Sequence, residues 1–209
     1  METERSRIAV LGTIRELHKE PLSYDLQALA RVVEERSPEL LCAEIGLEQW
    51  ENSQVSEMAP EYQEAVVPLS RRTSIIVVPV DGAEHSWNDF PPTVQSKIRH
   101  SDLQKWLLAS SNRALVGLVR LAGTPRAINS WYFEHVCGVL CAVSLFAAGK
   151  ASRETWKQEN QRLLDSVLTA VRRDPGRRVL VTVDCRRKHW LLKRLRRVPD
   201  IDVVGVWKL

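Results

Sequence analysis

VLVTVDCRRKHWLLKRLRR, residues 179–197, opens as an apolar run and closes as a basic helix. Its first part, Val179–Asp184, shows no polar–apolar alternation. A strand of that kind suits a parallel sheet covered on both faces, where neither side of the strand meets water. Four other stretches share this character: IAVLG (8–12), LLCAEI (40–45), SIIVVPV (74–80) and VVGVW (203–207).

Helical patterns lie between these strands. Residues 23–36 place Leu26, Leu29, Ala30 and Val33 on one face, with Ser23 as the expected N-cap and Asp25 in the first turn. That helix should stop near Ser37, because Pro38 disfavours the α conformation before it. Ser101 and Gln104 form a capping-box pattern. Residues 153–173 carry Trp156, Leu163, Leu164, Val167, Leu168 and Val171 on an apolar side, and DPG at 174–176 ends the helix. The order predicts a single α/β domain: a mainly parallel sheet of about five strands, covered by helices. A helical insert or cap is expected at about 88–173, between the third and fourth strands.

The 209-residue chain is 44% hydrophobic and 27% charged, with a formal net charge of +4. That balance excludes global disorder and permits acidic partners without requiring them. Cys42, Cys137, Cys141 and Cys185 form no CxxC pair, and no histidines stand at zinc-finger spacing from them. The start, METERSRIAVLG, is charged first and too briefly apolar for a signal peptide. The longest apolar stretch, Val136 to Ala148, reads as a buried core helix, shorter than the roughly 20 residues of a membrane span. A cytoplasmic protein with reduced thiols and no membrane contact is expected.

In open α/β sheets, ligands bind beyond the carboxyl ends of the strands. Thr13, Arg15, Glu16 and His18 follow the first strand. Glu44 ends the second, Asp81, Glu84 and His85 follow the third, and Asp184, Arg187, Lys188 and His189 close the fourth. Carboxylates and imidazoles on one rim can hold a divalent metal or divide acid and base roles. Glu44 stands out, because apolar residues surround it and a buried carboxylate needs a cation, a proton or a metal. An ion pair with Arg15 or Arg187 and a catalytic role fit it equally. His18 and His85, taken singly, fit surface positions. Asn129, Tyr132, Glu134 and His135 are placed to descend from the insert onto the rim, but they fit an ordinary helix face better.

These motifs, in this order, resemble the TraB/GumN/Tiki and erythromycin-esterase-like superfamily, which includes ChaN-like proteins. VLGTIRELH (10–18) is similar to the family's opening strand and GTxH-like motif, with Arg15 at the histidine position and His18 three residues on. SPELLCAEIG (37–46) sets Glu44 on the family's glutamate, and IIVVPVDG ends on Asp81. ENQRLLDSVLTAV followed by VLVTVDCRRKHWLLKRL resembles the late helix–strand segment, with Asn160 on the family's Asn and His189 near its turn histidine. The resemblance covers roughly 8–85 and 155–207. It implies a metal-dependent or Glu/His-dependent hydrolase, a haem binder or an inhibitor of signalling peptides.

Three functional readings follow. In the first, a hydrolase-like site has Glu44 as base or metal ligand and Asp81, His85 and His189 as ligands or acid/base partners. Arg15 and Arg187 stabilise negative charge, and His18 and Asn160 complete the substrate side. Its ligand is a small molecule or peptide, and a divalent metal is the cofactor the set could hold. In the second, the same fold is an inactive binding or regulatory protein in which Arg15 pairs with Glu44. The third, nucleic-acid binding through the basic 186–197 helix, ranks below both. Trp190, Leu191, Leu192 and Leu195 interleave with its charges at core-packing spacing, and no nucleic-acid motif is present.

Overall fold

A computed structural model describes residues 5–52, 54–80, 90–91 and 101–209. The apolar runs pair into one all-parallel sheet of five strands: β1 (Ser6–Thr13), β2 (Leu40–Ala43), β3 (Ile76–Pro79), β4 (Arg178–Asp184) and β5 (Ile201–Val203). Their order is β3-β2-β4-β1-β5, with β4 between β2 and β1. Alternate residues serve opposite faces. Ala9, Leu11, Leu41 and Leu180 belong to one core cluster, and Ile8, Val10, Val179, Val181 and Val183 to the other. Both sets are almost fully buried, which is why the strands read as continuous apolar runs.

α1 (Leu26–Arg36) packs on the first face, and so does the π-helical run Glu61–Val66 that leads into α3 (Val67–Arg72). A short α2 (Leu47–Glu51) precedes them. The N-cap of α1 is Asp25 rather than Ser23: its carboxylate accepts the Ala28 N–H at 2.7 Å. The helix stops where Pro38 predicts, with Ser37 in the left-handed region at φ 43°. α7 (Lys150–Arg173) and α8 (Cys185–Leu195) cover the second face through Leu163, Leu164, Val167, Leu191, Leu192 and Leu195.

The stretch read as an insert therefore divides. α7 is a crossover helix on the sheet itself. α4 (Asp102–Ala122), α5 (Pro125–Ile128) and α6 (Trp131–Ala148) form the cap, and α6 packs on α4 and α8. The Ser101–Gln104 capping box is present in both halves. α6 departs from the buried core helix expected of it. Tyr132, Val136, Val139, Val143 and Phe146 recur at helical spacing on its exposed side. By length and composition alone it is apolar enough to cross a bilayer, and 33% of it is buried.

The last strand also shifts, from the expected 203–207 to Ile201–Val203. It pairs only with Ser6–Ile8 of β1, and the Val204 N–H closes the ladder on the Ile8 carbonyl at 2.8 Å. The chain then turns into a 3₁₀ run, Val206–Lys208, where the guanidiniums of Arg36 and Arg126 lie 5.9 and 5.4 Å from the Trp207 ring. Cation–π contact, not ladder pairing, holds that aromatic.

Candidate functional site

The chain leaves β1 and β2 toward one face and β4 toward the other. Neighbouring connections thus diverge at the carboxyl end of β4, where an open α/β sheet forms its ligand crevice. Thr13, Glu44 and Asp184 stand side by side at this rim, ending or following β1, β2 and β4.

α8 starts immediately after Asp184 and opens with Arg186, Arg187 and Lys188. Cations at a helix N-terminus oppose its dipole, yet all three are buried. Carboxylates compensate. Asp184 caps the helix by accepting the Arg186 N–H at 2.8 Å, and it holds the Arg186 guanidinium through Nε and Nη2. Burial pushes the Asp184 carboxyl up, but the charge and hydrogen bonds of Arg186, together with the Arg15 charge, outweigh that and keep it below its ordinary value. Arg187 Nε lies 3.0 Å from Glu44 Oε1, and its Nη2 donates to Glu159 Oε2 at 3.1 Å. Its guanidinium rests 4.6 Å from the Trp156 ring centre. Glu44 Oε2 also accepts the Asp184 N–H at 2.7 Å. Burial raises the Glu44 carboxyl, and Arg187 only partly offsets this.

Beside this paired set lies a second group that is not fully paired. Arg15 follows β1 with φ 50°, a left-handed backbone that costs a non-glycine residue about 1–3 kcal/mol. Its side chain is buried near Glu61, Asp184 and Glu44, and its Nε has no hydrogen-bond partner among the described residues. Glu61 is wholly buried; Oε1 accepts from Thr13 Oγ1 at 3.0 Å, and Oε2 has no partner among the described residues. Burial pushes its carboxyl up to about 7, against the pull of Arg15. A buried guanidinium and a neutral-pH carboxyl with open valences can bind an anion and exchange a proton.

The other expected site residues are dispersed. His18 is buried with both ring nitrogens engaged: Nε2 accepts the Ile14 N–H at 3.1 Å and Nδ1 donates to the Tyr24 carbonyl at 2.8 Å. Burial lowers it to about 4, so the ring is neutral. Asn160 is buried on α7 beside Glu159, its Nδ2 donating to the Trp156 carbonyl at 2.7 Å. His189 faces α6, where its Nδ1 lies 3.3 Å from Glu134 Oε1. Side chains two positions apart on a helix diverge by about 200°, so Arg187 and His189 cannot serve one pocket. Asp81 and His85 lie outside the described residues.

The sequence reading passed over Glu61 and Glu159, and it favoured an ordinary helix face for Asn129. Asn129 ties the cap to the rim. Its Oδ1 accepts from the Gly12 N–H at 2.7 Å and from Lys188 Nζ at 2.8 Å. Gly12 lets the chain pass close to α8 there, because a Cβ would lie 3.1 Å from the Cys185 Cβ. Of the basic run, Lys193, Arg196 and Arg197 reach solvent, while Arg194 covers the Trp190 ring. Compared with protein-family models, with curated proteins and with solved structures, the chain matches none of them.

Proposed function

We propose that the chain binds an anionic ester or amide, of small-molecule or short-peptide size, at the carboxyl end of β1, β2 and β4, and hydrolyses it. The observation that carries this reading is Arg15, a buried cation in strained backbone whose Nε lacks a partner among the described residues, beside the Glu61 carboxyl poised near neutral pH. The carboxylate form of Glu61 takes a proton from the attacking water, and its acid form returns that proton to the leaving group. Balanced populations near pH 7 suit both steps. Arg15 faces the oxyanion that forms as water adds. The acid/base role expected of Glu44 passes to Glu61, because Glu44 is already engaged by Arg187 and the Asp184 N–H.

A panel of esterase, peptidase and phosphatase substrates tests this. Any activity found should fall about 100-fold or more in Glu61→Gln, with KM little changed, and Arg15→Met should lower kcat and raise KM. A wild-type rate in Glu61→Gln would sink the assignment. One observation favours the second reading, an anion-binding protein without turnover: Glu44 and Asp184 are both held by arginines. Equal ligand binding by wild type and Glu61→Gln, with no turnover of any panel substrate, would select it.

A further inference from the structure

On the far side of α8 from the rim, Glu134 and His135 of α6 meet His189 of α8, and one ligand atom from each lies within 4.8 Å of the other two. We infer that these three side chains form a binding site for a divalent first-row metal ion, with zinc the representative case, which fastens the cap helix α6 to α8.

The donor set is the first argument. Two imidazoles and one carboxylate suit borderline ions such as zinc, and three protein ligands leave a position open for solvent. Bonds of 2.0–2.1 Å set the ligand atoms about 3.3 Å apart in a tetrahedral site, so side-chain rotation of an ångström or so closes the cluster. His135 and His189 are only partly buried and have room to rotate.

Preparation of the imidazoles is the second. His135 Nδ1 lies 2.8 Å from the Trp131 carbonyl oxygen. A carbonyl only accepts, so Nδ1 carries the proton and Nε2 keeps its lone pair. Metal-bound histidines are commonly oriented this way, with the second nitrogen donating to a backbone carbonyl. The Trp131 ring, 4.2 Å from the His135 ring, supports it from one side. The His135 and His189 rings meet edge-on at 5.0 Å. The backbone leaves room for that approach: a Cβ at Gly138 would lie 3.2 Å from the His189 ring and would press on the imidazole. Glu134 is buried, and its Oε1 already faces His189 Nδ1 at 3.3 Å.

The competing soft ligands are closed off. Cys137, Cys141 and Cys185 are buried. Their sulfurs lie inside the fold and not on the face where the two imidazoles meet solvent.

The test uses the full chain, stripped with a chelator and dialysed, then titrated with Zn²⁺ by calorimetry and with Co²⁺ by visible absorption. One equivalent should bind, with tetrahedral or five-coordinate d–d bands, no thiolate charge-transfer band and a rise in Tm. His135→Ala and His189→Ala should each weaken binding at least tenfold, and so should the isosteric Glu134→Gln. Gly138→Ala should weaken it too, by displacing His189, with circular dichroism confirming the fold of every variant. No saturable binding would overturn the inference. So would binding indifferent to the histidine substitutions in folded variants, or a thiolate band in the Co²⁺ spectrum.

Discussion

Arg187 Nε lies 3.0 Å from Glu44 Oε1, and both side chains are sealed from solvent, so the β2–α8 junction is an ion pair inside the fold. Attraction across such a pair does little more than offset the desolvation of its charges, but removing one partner strands the other. Arg187→Met removes the cation that Glu44 and Glu159 share, and it should cost about 3–5 kcal/mol. Glu44→Gln should cost less, because burial already raises the Glu44 carboxyl. The double variant should lose less than the sum of the two. Urea denaturation of the four proteins measures the cycle; simple additivity would show that the pair does not couple.

Glu61 and His18 act on stability in opposite directions as pH changes. The folded Glu61 carboxyl titrates at about 7 against an ordinary 4.5, so its contribution is full below 4.5 and is lost as pH rises to 7. His18 titrates at about 4 against an ordinary 6.5, so its contribution is full above 6.5 and is lost as pH falls toward 4. Between pH 4.5 and 6.5 the two slopes cancel. Glu61→Gln should therefore make stability rise with pH across that window relative to wild type, by up to about 1.4 kcal/mol per pH unit. His18→Gln should make it fall by a similar slope. Urea midpoints at half-unit pH steps give the answer, and parallel profiles for all three proteins would contradict it.

Gly12→Ala should destabilise by about 1–3 kcal/mol. The added methyl would sit 3.1 Å from the Cys185 Cβ and 3.2 Å from its Cα, and backbone cannot swing aside as a long side chain does. Thermal unfolding compares it with Gly117→Ala, which meets nothing within 4 Å and lies inside α4. The latter should be neutral or slightly stabilising, since alanine is the better helix former.

Asn129→Ala should cost about 1–3 kcal/mol, because it strands the Gly12 N–H and leaves the Lys188 ammonium only its longer bond to the backbone carbonyl of residue 129. Burial already lowers Lys188 to about 8. Without Asn129 it should fall further, and faster amine acylation of Lys188 at pH 7, followed by mass spectrometry, would report that.

The two carboxyls that matter most at the rim were visible as anomalies of pattern. Glu61 stands at helical spacing before Ala65 and Leu69, and Glu159 stands between Trp156 and Leu163 on the apolar side of α7. All six residues are buried. A carboxyl inside an apolar stripe carries the same signal that singled out Glu44. The basic run misleads for the converse reason. Arg186, Arg187 and Lys188 look like a solvated helix start, and their burial rests on partners: Asp184 for Arg186, Glu44 and Glu159 for Arg187, and Asn129 for Lys188.

Sequence by itself therefore determined the α/β class, the parallel sheet and a few helix ends, at Ser37, Ser101 and Asp174. Strand burial on two faces requires continuous apolar runs, and caps and prolines act within a few residues of the chain. Tertiary structure alone decided the partner of each charge. Glu44 could have met Arg15 or Arg187, and it met Arg187 because β4 inserts between β2 and β1 and places the start of α8 beside β2. His189 went to α6 instead of the rim, since the helix turns it away from Arg187. Ion pairs and ligand clusters have no period along the chain. They are set by which elements pack together.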